Sequence, residues 1–168
     1  MHSVWRHSTL GRQRRLELFN ALVVSKLLYG LPAAWLNTSE RRRLNGFHNR
    51  CLRVIWGIKP SFISRVSNAS VLARTGECLL SDTLLKRQLL LFGRVARLSD
   101  DSVMRAATFC PGSLRPATDR YKRKLGRPRM EWTTEVGKIA LRAAGTHSNL
   151  EHTVKDAGVW RNIVESYV

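Results

Sequence analysis

The side chains best equipped for chemistry in this 168-residue sequence are its arginines: 22 of its 29 basic residues are Arg, against 12 Asp and Glu, for a net charge of +17. A guanidinium is a planar fork that donates in pairs to phosphate oxygens. The chemistry on offer is therefore recognition of a polyanion, since free nucleotides and small acids do not need so many positive charges. Nucleic acid comes first as a partner and an anionic membrane surface second. The charge gathers in two places. Residues 41–74 carry eight basic and no acidic groups, among them Arg41, Arg42, Arg43, Arg50 and Arg53. Residues 115–129 carry Arg115, Arg120, Lys122, Arg123, Lys124, Arg127 and Arg129 against Asp119 alone.

Other chemistries find little support. Asp100-Asp101 is the only adjacent acidic pair, but it lies between Arg97-Leu98-Ser99 and Ser102-Val103-Met104, without apolar flanks or a third carboxylate. Two-metal catalysis needs carboxylates converging from separate elements to hold ions ~4 Å apart, so the pair reads as a helix-capping turn. His147 and His152 are five residues apart, off a common helical face, and read as surface residues. Cys51, Cys78 and Cys110 are widely spaced, which fits neither a disulfide framework nor a zinc site and points to a reducing compartment. No Gly-rich phosphate loop or serine elbow occurs. No catalytic residue, metal or cofactor is expected. The N-terminus lacks an apolar leader, and the apolar run Leu27–Leu36 is too short to span a membrane and is broken by Gly30 and Pro32. A nuclear or cytoplasmic protein, not a secreted one, is the expectation. Asn37-Thr38-Ser39 and Asn68-Ala69-Ser70 then read as helix starts and not as glycosylation sites.

The elements that must position the arginines follow from apolar spacing. Leu16, Phe19, Leu22, Val23 and Leu27 predict a helix ended by Gly30 and Pro32. Asn37 with Glu40 three residues on predicts a capped second helix, whose apolar face is Leu44, Phe47, Cys51, Leu52 and Ile55, up to Gly57. Arg42, Arg43, Arg50 and Arg53 fall largely off that stripe. His48, among them, reads as a packing residue, with phosphate contact as the alternative. Helices are further predicted over Asn68–Thr75, from Ser81 or Asp82 through Leu85, Leu89, Phe92, Val95 and Ala96, after Asp101 to Phe109, and over Met130–Ala144 and Asn149–Val168, the last two carrying Trp132 and Trp160. Trp5, Trp35 and Trp56 sit beside apolar runs and read as core. No segment alternates with period two, so the expected fold is all-α.

Charge marks the boundaries. Residues 1–129 hold 25 basic and 7 acidic groups, residues 130–168 only 4 and 5. A small helical bundle over 1–112, a basic linker over 113–129 with Pro116, Gly126 and Pro128, and a C-terminal helical pair over 130–168 are expected. Within the linker, Gly126-Arg127-Pro128-Arg129 resembles the core of an AT-hook, although Leu125 stands where the hook has a basic residue; backbone binding leads, with minor-groove insertion and a solvated linker as alternatives.

The order of these pieces resembles the C-terminal region of non-LTR (LINE-type) retrotransposon reverse transcriptases. The residues that carry the likeness are Arg15-Leu16, Phe19, Ala21-Leu22-Val23, Leu27-Leu28-Tyr29-Gly30 and Trp35, then Arg43-Leu44, Phe47-His48, Arg50-Cys51-Leu52-Arg53 and Ile55-Trp56-Gly57-Ile58. It continues through Arg74-Thr75-Gly76, Leu79-Leu80-Ser81-Asp82, Leu89 to Gly93 with Val95, Asp100-Asp101, Gly126-Arg127-Pro128-Arg129 and Trp132, and ends near Trp160-Arg161. The gap between Gly30 and Trp35 is one residue longer than in the family pattern. The resemblance implies a thumb-like bundle and a basic segment that grip template and primer, with an apolar face where a thumb meets its palm. It implies RNA, DNA or their hybrid as partner, and a palm-containing reverse transcriptase chain as a further one. The polymerase Asp-Asp hairpin is missing, so the expectation is a fragment of the family's reading frame, with Met1 an internal start and no polymerase chemistry of its own. Two alternatives stand beside it: a helical protein-interaction module using the Trp-bearing C-terminal helices, and a thumb supplied in trans to an active polymerase.

Overall fold

A computed structural model describes residues 9–117 and 131–168. Among these residues the chain is helical, with no strand beyond a single antiparallel bridge between Phe109 and Pro116. It divides into two compact units, with a boundary in the sequence between Leu84 and Leu85. The first contains residues up to Leu31 and Leu36–Leu84; the second contains Pro32–Trp35 and the residues from Leu85 onward. This division differs from the boundary expected at residue 112. The C-terminal helices do not form a separate segment, because Val136, Ala140, Val154, Trp160 and Val164 share one apolar core with Leu89, Phe92, Val95 and Phe109.

In the first unit, α1 (Arg12–Phe19) runs into a π-helical segment, Asn20–Val24, and then a last turn, α2 (Ser25–Leu27). The wider π turn advances the buried face by one residue. Leu16 and Phe19 are buried as expected, but beyond the π segment Val24 and Leu28 point inward, while Leu22 is 67% exposed. A 3₁₀ turn covers Leu31–Ala33, of which only Leu31 belongs to this unit. The next helix, α3 (Thr38–Trp56), begins with the expected capping box, Asn37 accepting from the Glu40 N–H at 3.0 Å while the Glu40 carboxylate accepts from the Asn37 N–H at 2.7 Å. Gly57 ends it in the left-handed region, φ 70°.

After a single turn, α4 (Ser61–Ser64), comes α5 (Asn68–Thr75), capped by Ser67 one residue before the expected Asn68 and closed by Gly76. Helix α6 (Leu80–Ala96) starts just ahead of Ser81, because Asn45 of α3 supplies its cap. The Ser81 N–H donates to Asn45 Oδ1 at 2.9 Å and Asn45 Nδ2 donates to Ser81 Oγ at 3.0 Å. The core of this unit is Leu16, Phe19, Val24, Leu28, Leu44, Leu52, Ile55, Val71, Leu80 and Leu84; Trp56 packs on it half-buried, and Trp5 lies outside the described residues.

In the second unit, α7 (Val103–Thr108) has Ser102 as N-cap without a side-chain capping bond. The capping role expected of Asp100-Asp101 is thus not observed: Asp100 accepts from Arg105 Nε at 2.6 Å instead. Residues 113–117, counted above with the linker, fold back as a turn in which Cys110 N–H donates to the Arg115 carbonyl at 2.8 Å, and Ala117 N–H to that of Thr108 at 3.1 Å. Helix α8 (Trp132–Ala144) follows, and the expected final helix is two, α9 (His147–Lys155) and α10 (Ala157–Tyr167). Asp156 separates them because its carboxylate accepts from the Gly158 and Val159 N–H groups, a capping geometry incompatible with a continuous helix. Gly93 of α6 lets α10 approach closely: Trp160 lies against its backbone and donates from Nε1 to the Leu89 carbonyl at 2.9 Å. No helix of the described residues is long and apolar enough to cross a membrane.

Candidate nucleic-acid interface

Helix α3 carries the described part of the arginine cluster. At ~100° per residue, Arg42, Arg43, Gly46, Arg50 and Arg53 all fall within an arc of roughly 100°, opposite buried Leu44, His48, Leu52 and Ile55. Arg42, Arg43 and Arg50 are exposed. They extend along about 12 Å of helix axis, the rise of three to four base pairs. None of the three takes part in an ion pair among the described residues, and each acid of this unit has another partner. Glu17 pairs with Arg14 at 2.8 Å, Glu40 closes the capping box, Glu77 accepts from Asn20 Nδ2 at 2.9 Å and Asp82 from Ser81 Oγ at 3.1 Å. Among the described residues, the only bond these three arginines make is from Arg50 Nε to the Gly46 carbonyl at 3.3 Å.

The other two members behave differently. Arg41 is half-buried and donates from Nε to the Leu36 carbonyl at 3.1 Å; burial lowers its pKa, with Asp82 opposing. Arg53 departs from the solvent-facing position its spacing gives it. It is 6% exposed and donates to the Lys59 carbonyl at 3.2 Å, the Val66 carbonyl at 2.7 Å and Asn68 Oδ1 at 3.0 Å. The chain folds back over the last turn of α3, and backbone acceptors replace the phosphates expected there. The exposed face therefore ends at Arg50. Arg120, Lys122, Arg123, Lys124, Arg127 and Arg129, with the hook-like run, lie outside the described residues.

His48 is buried, stacked on Phe19 with ring centroids 6.0 Å apart and planes 15° from parallel. Neither ring nitrogen has a hydrogen-bond partner among the described residues, and burial pushes its pKa down, Glu77 opposing. It is a packing residue of α3 and not a phosphate ligand. Burial likewise pushes the Cys51 thiol up, keeping it protonated. His147 and His152 are exposed, and no group of three or more His, Cys, Asp or Glu able to hold a metal occurs among the described residues.

Spacing gave no sign that four apolar side chains are exposed, and it counted one of them, Leu22, in the apolar stripe of the first helix. Phe62 and Ile63 protrude from α4, and Leu22 and Tyr29 from the first helix and the turn after it. Trp160 is fully buried, and Trp132 is half-buried with Nε1 donating to the Pro32 carbonyl at 2.6 Å. Comparison with protein-family models, curated proteins and solved structures gives no match to this chain.

Proposed function

We propose that this chain is a nucleic-acid-binding helical protein, derived from the C-terminal region of a retrotransposon reverse transcriptase, that neutralises backbone phosphates without polymerase chemistry of its own. The observation that carries this reading is the α3 face: three exposed arginines on one arc, in a unit whose acids are all committed elsewhere. A solvated helix face normally interleaves acids that pair at i,i+4, and residues 41–74 contain none. RNA, DNA and their hybrid all present the phosphates such a face takes.

The test is the salt dependence of binding. Each neutralised phosphate releases condensed counterions, contributing about 0.9 to the log–log slope on duplex and about 0.7 on single strands. Replacing Arg42, Arg43 and Arg50 by Ala should flatten the duplex slope by about 3. Replacing Arg120, Lys122, Arg123, Lys124, Arg127 and Arg129 should flatten it by about 5. Both variants should keep their helical circular dichroism, and primer extension with Mg²⁺ or Mn²⁺ should stay at background. Binding weaker than micromolar at 50 mM salt, or a slope that neither change moves, refutes the reading.

A second reading draws on Leu22 and Tyr29, which expose apolar surface on the first helical segment. Such surface suits a protein partner, and the resemblance supplies one, a palm-containing reverse transcriptase chain. Leu22→Asp with Tyr29→Asp should abolish association with that chain, and any primer extension completed in trans, while leaving nucleic-acid affinity intact.

A further inference from the structure

The segment between α3 and α5 is built as a presented tip. A single guanidinium, that of buried Arg53, holds both of its ends by bonding the carbonyls of Lys59 and Val66. Between them Pro60 opens the one-turn α4, and Arg65 closes it at φ 55°, the only non-glycine residue with positive φ among those described. A side chain is disfavoured in that left-handed region, so the conformation persists because its surroundings enforce it. What the clamped turn displays is Phe62, 73% exposed, and Ile63, 54% exposed. Lys59 and Arg65 are also exposed, three residues to either side of Phe62. No acid occurs between Glu40 and Glu77.

We propose that this tip is a stacking platform for single-stranded nucleic acid, with an unpaired base on the ring of Phe62, Ile63 extending the apolar contact, and Lys59 and Arg65 taking the adjoining phosphates. The proposal rests on the nucleic-acid reading above and names the form of the ligand. Every base has a π-face, so an exposed aromatic ring between cations binds strands with little sequence preference. Bases inside a duplex are already stacked on one another, which confines the contact to single strands, ends and junctions. Charge complementarity selects a polyanion. An anionic bilayer shares that charge, but two apolar side chains on one helical turn offer it little area to bury.

The experiment uses the full chain with three probes: a 15-nucleotide single strand carrying a central 2-aminopurine, a relaxed, covalently closed circular duplex without ends, and phosphatidylserine-containing vesicles. Phe62→Ala should weaken single-strand binding roughly five- to a hundredfold. It should leave the salt slope, duplex affinity and melting temperature unchanged, since it removes neither charge nor core. Phe62→Trp should restore both affinity and quenching of the 2-aminopurine. Lys59→Ala with Arg65→Ala should flatten the single-strand slope by about 1.4. Unchanged single-strand affinity in Phe62→Ala, or an equal loss on duplex, overturns the proposal. Vesicle binding that depends on Phe62 while single-strand affinity does not also overturns it, and assigns the tip to a bilayer. If the wild-type chain shows no salt-dependent affinity for either nucleic acid, the α3 reading falls as well; a steep slope with an inert Phe62 removes the tip alone.

Discussion

Gly93→Ala tests how α10 is seated on α6. A Cβ added at residue 93 would lie 2.3 Å from both Cδ1 and Nε1 of Trp160, where carbon contacts settle at about 3.5–4.0 Å. The indole must retreat by more than 1 Å, and it is fully buried, with Phe92 6.3 Å away between ring centroids. Retreat breaks the 2.9 Å bond from Nε1 to the Leu89 carbonyl and leaves a buried donor unmatched, at about 1–3 kcal/mol. Crowding of the core adds about 1–3 kcal/mol, and the better helix propensity of Ala returns about 1 kcal/mol. The net expectation is a loss of about 3 kcal/mol, or roughly 6–12 °C in melting temperature for a chain of this size. Urea unfolding followed by far-ultraviolet circular dichroism and tryptophan fluorescence would measure it. In a Trp160→Leu background the obstacle is gone, so the same Gly93→Ala change should become neutral or stabilising. A Gly93→Ala chain as stable as wild type, or one that loses equally in both backgrounds, would refute the packing argument.

Other outcomes follow from single contacts. Arg53→Met removes a charged donor from three acceptors and should lower stability by about 3 kcal/mol in urea; Arg53→Lys should recover only part, because an ammonium lacks the fork that reaches all three. Burial lowers the pKa of His48 from its ordinary 6.5, so the unfolded chain binds a proton that the folded chain resists. His48 should therefore contribute no pH dependence well above pH 6.5, and a loss as pH falls below it, at most about 1.4 kcal/mol per pH unit. His48→Phe should remove that component from melts across pH 8 to 5. Asp156→Ala deletes the cap between α9 and α10 and should reduce stability by about 1 kcal/mol in the same unfolding assay.

Much of the helical layout was legible because local chemistry decides it. The Asn37 and Glu40 side chains bond each other's backbone, Gly57 and Gly76 take left-handed conformations, and Leu89, Phe92 and Val95 recur at the period of a helix facing one core. Non-local causes were not legible. Nothing near Arg53 in sequence announces that carbonyls 6 and 13 residues later will cover it. The cap Asn45 gives α6 comes from 36 residues away. Asp156 did offer a signal, an acid just before Ala157-Gly158, but the apolar residues on either side mask it in a periodicity argument. The register of the first helix was undecidable for a different reason. Val23-Val24 and Leu27-Leu28 are doublets, so either member of each could face inward, and only the π segment chooses.

That π segment gives the first helix a reserve of length. Residues 20–24 hold one residue more than an α turn requires. Deleting a residue such as exposed Ala21 would let the helix relax to ordinary winding, with Leu16, Phe19 and the displaced Val24 and Leu28 still aligned at spacings of three, four and four. Deleting a residue elsewhere in a packed helix rotates everything beyond it by about 100° and empties its core face. The first helix can therefore lose a codon at this point without losing its fold, a tolerance to reading-frame-preserving deletion that the α3 face, wound without slack between its cap and Gly57, does not share.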